Sequence, residues 1–117
     1  MSDDHVTPAA RPEHLEGYTI KKRTGCGTLF ITVNVNNGKV FEVFTTIGKA
    51  GGCAASQAEA LGRMISIALR SSVEPLAIVE QLKGIRCHSP MISDGIEILS
   101  CADAVAQALS DAIKVIQ

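Results

Sequence analysis

The Asn36-Asn37-Gly38 triplet constrains this chain more than any other feature, because β-patterned segments flank it on both sides. Asn-Gly is the strongest short hairpin signal, since both residues tolerate the positive φ that a two-residue turn requires. On its N-terminal side, Leu29, Ile31, Val33 and Val35 alternate with Phe30, Thr32 and Asn34, and β-branched residues dominate, so Thr28 to Val35 is read as a strand. Lys39 to Thr46 returns from the turn as its partner. Upstream, Tyr18 to Thr24 is a further strand, joined to the first by the turn Thr24-Gly25-Cys26-Gly27. Residues 18–46 are thus predicted to form an antiparallel meander of three strands. One face shows Phe30, Thr32 and Asn34, the other the alternate set, and one of the two must meet water or a partner.

Helical periodicity takes over after Gly48-Lys49-Ala50-Gly51-Gly52-Cys53-Ala54-Ala55-Ser56. Ser56 and Glu59 fit a capping box, in which each side chain satisfies a free backbone N–H at a helix start. Ala58, Leu61, Ile65, Ala68 and Leu69 then share one helical face, widened by Met64 and Ile67, and Ser71-Ser72 ends the run. Pro75 suits the first turn of a short helix built on Leu76, Val79 and Leu82, with Gly84 as its C-terminal cap. Ile85 to Leu99 reads as irregular. Ser100 and Asp103 form a second capping box, and Val105, Ala108, Leu109, Ala112, Ile113 and Ile116 follow the i, i+3, i+4 pattern without a miss. Strands first and helices after predict an α+β fold, a three-stranded antiparallel sheet followed by three helices packed on one face. Residues 1–13 are expected to be a disordered tail, and residues 14–117 one domain.

Bulk properties narrow the function classes. At 117 residues, 46% hydrophobic and 20% charged, the chain is sized and composed for one globular domain. With one Tyr, three Phe and no Trp, its core must be aliphatic and alanine-rich. A net charge of −1 and a pI near 6.3 carry no basic footprint for nucleic acid. The longest apolar stretch is broken by Arg63, Ser66 and Arg70, so no membrane span is expected, and the polar start Met-Ser-Asp-Asp is no signal peptide. The expected location is the cytoplasm, where thiols stay reduced and stable disulfides are unusual.

That leaves four cysteines to explain. Cys26, Cys53, Cys87 and Cys101 have no CxxC spacing, so spacing alone gives no zinc ribbon or knuckle. Their settings say more. Cys26 lies between two glycines, Cys53 precedes a helix, Cys87 follows one and Cys101 opens the last. All four sit at element ends, where packing cysteines are not expected, and the fold can bring several of these ends together. Four thiolates there could bind one ion tetrahedrally, with the helix N-termini at Cys53 and Cys101 offsetting part of the charge. The bland alternative is four small buried hydrophobes. A nucleophilic Cys53 or a Cys87-His88 pair is a further option. His88 is expected in a solvated loop, or as a substitute ligand. His5 and His14 look uninvolved, and Lys49 lacks the rest of a phosphate loop. No paired carboxylates or Ser/His/Asp set stands out, so the expectation is of a chain that is not catalytic on its own.

The residues Gly51-Gly52-Cys53-Ala54-Ala55-Ser56, Leu82-Lys83-Gly84-Ile85-Arg86-Cys87 and Leu99-Ser100-Cys101-Ala102-Asp103-Ala104 resemble the TSCPD domain. That domain is named for a Thr-Ser-Cys-Pro-Asp motif. It closes vitamin B12-dependent (class II) ribonucleotide reductases and also occurs as small free-standing proteins. The resemblance covers residues 11 to about 110, and Arg11-Pro12 with Thr24-Gly25-Cys26-Gly27 looks like the reductase-tail version. Leu99 and Ala102 replace the motif's Thr and Pro, while Ser100, Cys101 and Asp103 remain. A second resemblance is one of layout. Iron–sulfur scaffold proteins of the NifU/IscU type carry cysteines in an early hairpin turn, in a turn before a long helix and at the start of the last helix, positions that Cys26, Cys53 and Cys101 resemble.

The resulting expectation is a metal-binding accessory or regulatory module with one Cys₄ centre formed by Cys26, Cys53, Cys87 and Cys101. The resemblance implies ribonucleotide reductase as partner. Zinc is the expected metal and an iron–sulfur cluster the alternative. A carrier or scaffold for such a cluster and a metal-free interaction module are the rival readings. No nucleic-acid or membrane partner is expected, and an exposed sheet face or edge would allow a homodimer.

Overall fold

The structure is a computed structural model that describes residues 4–48 and 52–116. The meander is present as β1 (Glu16–Thr24), β2 (Gly27–Asn36) and β3 (Lys39–Gly48), in the order β1-β2-β3 with both pairings antiparallel. Its second turn has Asn37 at φ 53° and Gly38 at φ 77°, the conformation the dipeptide announces. Register holds from Thr28↔Gly48 to Asn34↔Glu42, then shifts so that Val35 faces Val40. Phe41 is the extra residue of this bulge, so Val40 and Phe41 are buried side by side, while Glu42, opposite Asn34 on the other face, is held by the side chains of Arg11 and Asn34.

Three helices complete an α+β fold, α1 (Gly52–Arg70), α2 (Pro75–Leu82) and α3 (Cys101–Ile116). α3 contacts all three strands, and α2 packs on α3. The buried face of the sheet presents Leu29, Ile31 and Val33 to Val105, Ala108 and Leu109, and the alanines keep helix and sheet close. The other face leaves Phe30 at 41% and Phe44 at 52% exposed, with Thr19 and Thr32 sharing a 3.0 Å hydroxyl contact between them. The Phe30 face is therefore the outward one.

α1 runs against β3 at its otherwise unpaired edge. The Ser66 hydroxyl accepts from Val43 N–H and donates to Val43 C=O, both at 2.9 Å, so a side chain takes the place of a neighbouring strand. Thr45 Oγ1 donates to the Ala58 carbonyl nearby. This approach needs Gly62, where a Cβ would stand 3.1 Å from Thr45 Oγ1 and 3.2 Å from the Val43 carbonyl oxygen. α1 ends in a Schellman arrangement. Val73 N–H bonds Ala68 C=O and Ser72 N–H bonds Leu69 C=O, with Ser72 itself at φ 69°.

Two local expectations are corrected. α1 does not start at a Ser56–Glu59 capping box, because it is already helical at Gly52. Ser56 Oγ donates back to Gly52 C=O at 2.9 Å, the bond a serine makes inside a helix, while Glu59 pairs with Arg63 one turn on. Cys53 thus lies within the first turn of α1. Lys49, Ala50 and Gly51, the heart of the glycine-rich loop, lie outside the described residues. The segment 85–99, expected to be irregular, contains a hairpin of β4 (Met91–Ser93) and β5 (Ile96–Ile98). Its turn has Asp94 at φ 52° and Gly95 at φ 78°, repeating the Asn37-Gly38 geometry. Among the described residues before β1, 4–15, there is no helix or strand, but Ala9 exchanges bonds with Arg70, and Arg11 Nε lies 2.9 Å from Glu42 Oε1.

Candidate metal centre

Three turns and termini meet at the end of the sheet where β1 passes into β2. There Thr24 is almost fully buried and organises the tight turn that carries Cys26. Its hydroxyl donates to Gly27 C=O at 2.7 Å and accepts from Cys26 N–H at 3.2 Å. With its one proton spent on Gly27, it has a lone pair to offer Cys101 Sγ, 3.7 Å away at the first residue of α3. Thr24 therefore ties the β1–β2 turn to the helix start.

The third thiol arrives on the segment that follows α2. Cys87 N–H donates to Leu99 C=O at 2.9 Å, and Cys87 Sγ accepts from Ser89 N–H at 3.3 Å. Gly25 is what lets this segment come so close, since a Cβ there would run into the carbonyl of Ser89. Burial first, then the neighbouring thiols of Cys101 and Cys87, push the Cys26 thiol above the ordinary thiol range. Cys26, Cys87 and Cys101 are all half-buried and reduced.

Cys53 stands apart, exposed in the first turn of α1. Its helix follows β3, whose last residue, Gly48, offers its carbonyl oxygen 3.2 Å from where a Cβ on Gly27 would be. The exit of β3 thus lies beside the Cys26 turn. Among the described residues no group of three or more His, Cys, Asp or Glu side chains is disposed as a ready-made ligand shell. His88 and His14 are exposed. Lys49 lies outside the described residues.

The start of α3 is built more elaborately than its capping box implied. Asp103 N–H does donate to Ser100 Oγ at 3.0 Å, as the box requires. The Asp103 carboxylate, however, accepts from Leu99 N–H at 3.0 Å and Gly84 N–H at 2.9 Å, with Gln107 Nε2 adding a third bond at 3.0 Å. Gly84 does not cap α2 in the way its position suggested: the cap residue is Lys83, in an extended conformation, and Gly84, at φ 81°, is the third residue of a turn closed by Ile85 N–H to Leu82 C=O. The roles of Thr24, Leu99 and Gln107 had no sequence signal beyond their nearness to cysteines.

The chemistry this end offers is thiol chemistry. Its donors are sulfur, which suits zinc or an iron–sulfur cluster and does not suit hard ions that take oxygen ligands. Comparison with known proteins adds one finding: the family model of the TSCPD domain matches residues 5–113. No curated protein and no solved structure matches the chain. Among the described residues no helix is long and apolar enough to cross a membrane.

Proposed function

The chain belongs to the TSCPD domain family, and from that premise we propose that it is a small metal-binding accessory or regulatory module. In this reading it is related to the C-terminal domain of class II ribonucleotide reductases and holds one metal centre through Cys26, Cys53, Cys87 and Cys101. One observation carries the reading. Thiols from three distant parts of the chain, Cys26, Cys87 and Cys101, are drawn to one end of the sheet, close enough for two of them to perturb the third. Burial alone does not call for three cysteines there, because any small apolar side chain would fill the space.

Zinc fits the donor set best, with Cys53 as the fourth ligand brought in from the start of α1. A bound ion would supply structural cross-linking between the β1–β2 turn, the segment after α2 and the starts of α1 and α3. The protein's own contribution is to bring these thiols together through Thr24, Gly25 and Leu99 and to shield them partly from water. With every coordination position taken by sulfur, such a centre binds no substrate, and the module acts through its partner. The family context makes ribonucleotide reductase the first partner to test.

The exposure of Cys53 favours a second reading, an iron–sulfur carrier or scaffold, because a site with one accessible ligand can load and release a cluster. The two separate by colour: protein purified without oxygen is brown if it carries a cluster and colourless if it carries zinc. Cys26→Ser and Cys101→Ser variants test the site itself. Metal-binding energy is folding energy, so losing one ligand should cost several kcal/mol. A melting temperature that barely moves, in chains that also lack metal, would select the metal-free interaction module.

A further inference from the structure

Resting on the metal-site reading, we infer that Asp103 is the positioning residue of the thiol end, a clasp that closes the Cys87-bearing segment onto the Cys101 helix start. Asp103 is only 6% exposed, and its two oxygens are not used as a helix cap uses them. In a capping box the third-position side chain bonds the N–H of the cap residue, here Ser100. Instead Oδ1 takes the N–H of Gly84 and Oδ2 takes the N–H of Leu99. These are the two ends of the segment that runs from α2 to α3. One carboxylate therefore holds both ends of the loop containing Cys87 and the β4–β5 hairpin.

The clasp reaches the thiol through a single residue. Leu99 gives its N–H to Asp103 and accepts Cys87 N–H on its carbonyl, so Asp103 fixes Leu99 and Leu99 fixes Cys87. Gln107, one turn further along α3, holds Oδ2 in place. Asparagine cannot replace this group. Its amide has one oxygen, so an NH₂ would face either the Gly84 or the Leu99 N–H, pitting donor against donor.

The test uses the whole chain, first metal-free. Iodoacetamide labelling, read cysteine by cysteine by mass spectrometry, compares Cys87 with the exposed Cys53. In Asp103→Asn, alkylation of Cys87 should rise by about tenfold or more, as local opening of one clasped segment implies, while Cys53 stays unchanged. An unchanged Cys87 rate in a folded variant overturns the clasp. Cobalt(II) titration of the same proteins should show affinity weakened by about 10–100-fold in the variant, the usual effect of losing a group that orients ligands. Equal cobalt affinities would overturn the positioning role. A wild-type chain that takes no cobalt sinks the metal reading, while the labelling result still decides the clasp. If Asp103→Asn does not fold, hydrogen exchange in the wild-type chain decides. Slow exchange at both Gly84 and Leu99 amides supports the clasp, and fast exchange at either one overturns it.

Discussion

Replacing Ser66 by alanine would remove one oxygen and strand two backbone groups. Ser66 Oγ is the partner of both Val43 N–H and Val43 C=O, each at 2.9 Å, at a point where Val43 is 1% exposed and α1 shuts out water. An unpaired buried donor or acceptor costs about 1–3 kcal/mol, so two of them cost about 2–6 kcal/mol. Alanine's better helix propensity returns about 0.5 kcal/mol, leaving a net loss of at least about 1.5 kcal/mol. For a domain of this size that lowers the melting temperature by at least about 5 °C. Urea unfolding followed by far-UV circular dichroism measures it, and the midpoint should fall with no change in slope, since the surface exposed on unfolding is the same. Ser56→Ala is the control within the same helix. That exposed hydroxyl bonds only carbonyls of the first turn, so its loss should stay within about 0.5 kcal/mol of neutral. If Ser66→Ala were as mild as Ser56→Ala, α1 would not be completing the edge of β3 and this account of the sheet would fail.

Two other sites give shorter predictions. Arg11→Met should destabilise by about 1–3 kcal/mol, because it leaves the Glu42 carboxylate, 2% exposed, with Asn34 Nδ2 as its remaining side-chain partner. Adding Glu42→Gln should recover part of the loss, and a double-mutant cycle with no coupling would refute the pairing. Ser72→Gly should stabilise by about 0.5–1 kcal/mol, because glycine takes the left-handed position that closes α1 without a Cβ penalty. A lower melting temperature would contradict that.

What could be read from the sequence was what local chemistry specifies. The meander was legible because alternation, β-branching and Asn37-Gly38 all point the same way over a short stretch of chain. α3 was legible because its cap and apolar stripe agree. The β4–β5 hairpin escaped because three-residue strands carry no usable period, although Asp94-Gly95 repeats the turn logic of Asn37-Gly38. The start of α1 was misplaced because Ser-x-x-Glu reads the same inside a helix as at its end. Long-range pairs were not legible at all. Nothing near Glu42 names Arg11, 31 residues away, as its partner, and nothing near Cys26 names Cys87 or Cys101. The cysteines' positions at element ends suggested a shared site, but only the fold distinguishes Cys26, Cys87 and Cys101, which meet, from Cys53, which lies exposed. Asp103 illustrates the limit well. Its backbone role was visible in the Ser100–Asp103 spacing, whereas its carboxylate acts on Gly84, 19 residues earlier.

The central claim is that the convergent thiols hold a metal, and elemental analysis of the full chain purified without oxygen tests it most directly. The account predicts about one zinc per chain, lost together with folding stability when a strong chelator is added. Protein that is folded, fully reduced and free of both zinc and iron would contradict it.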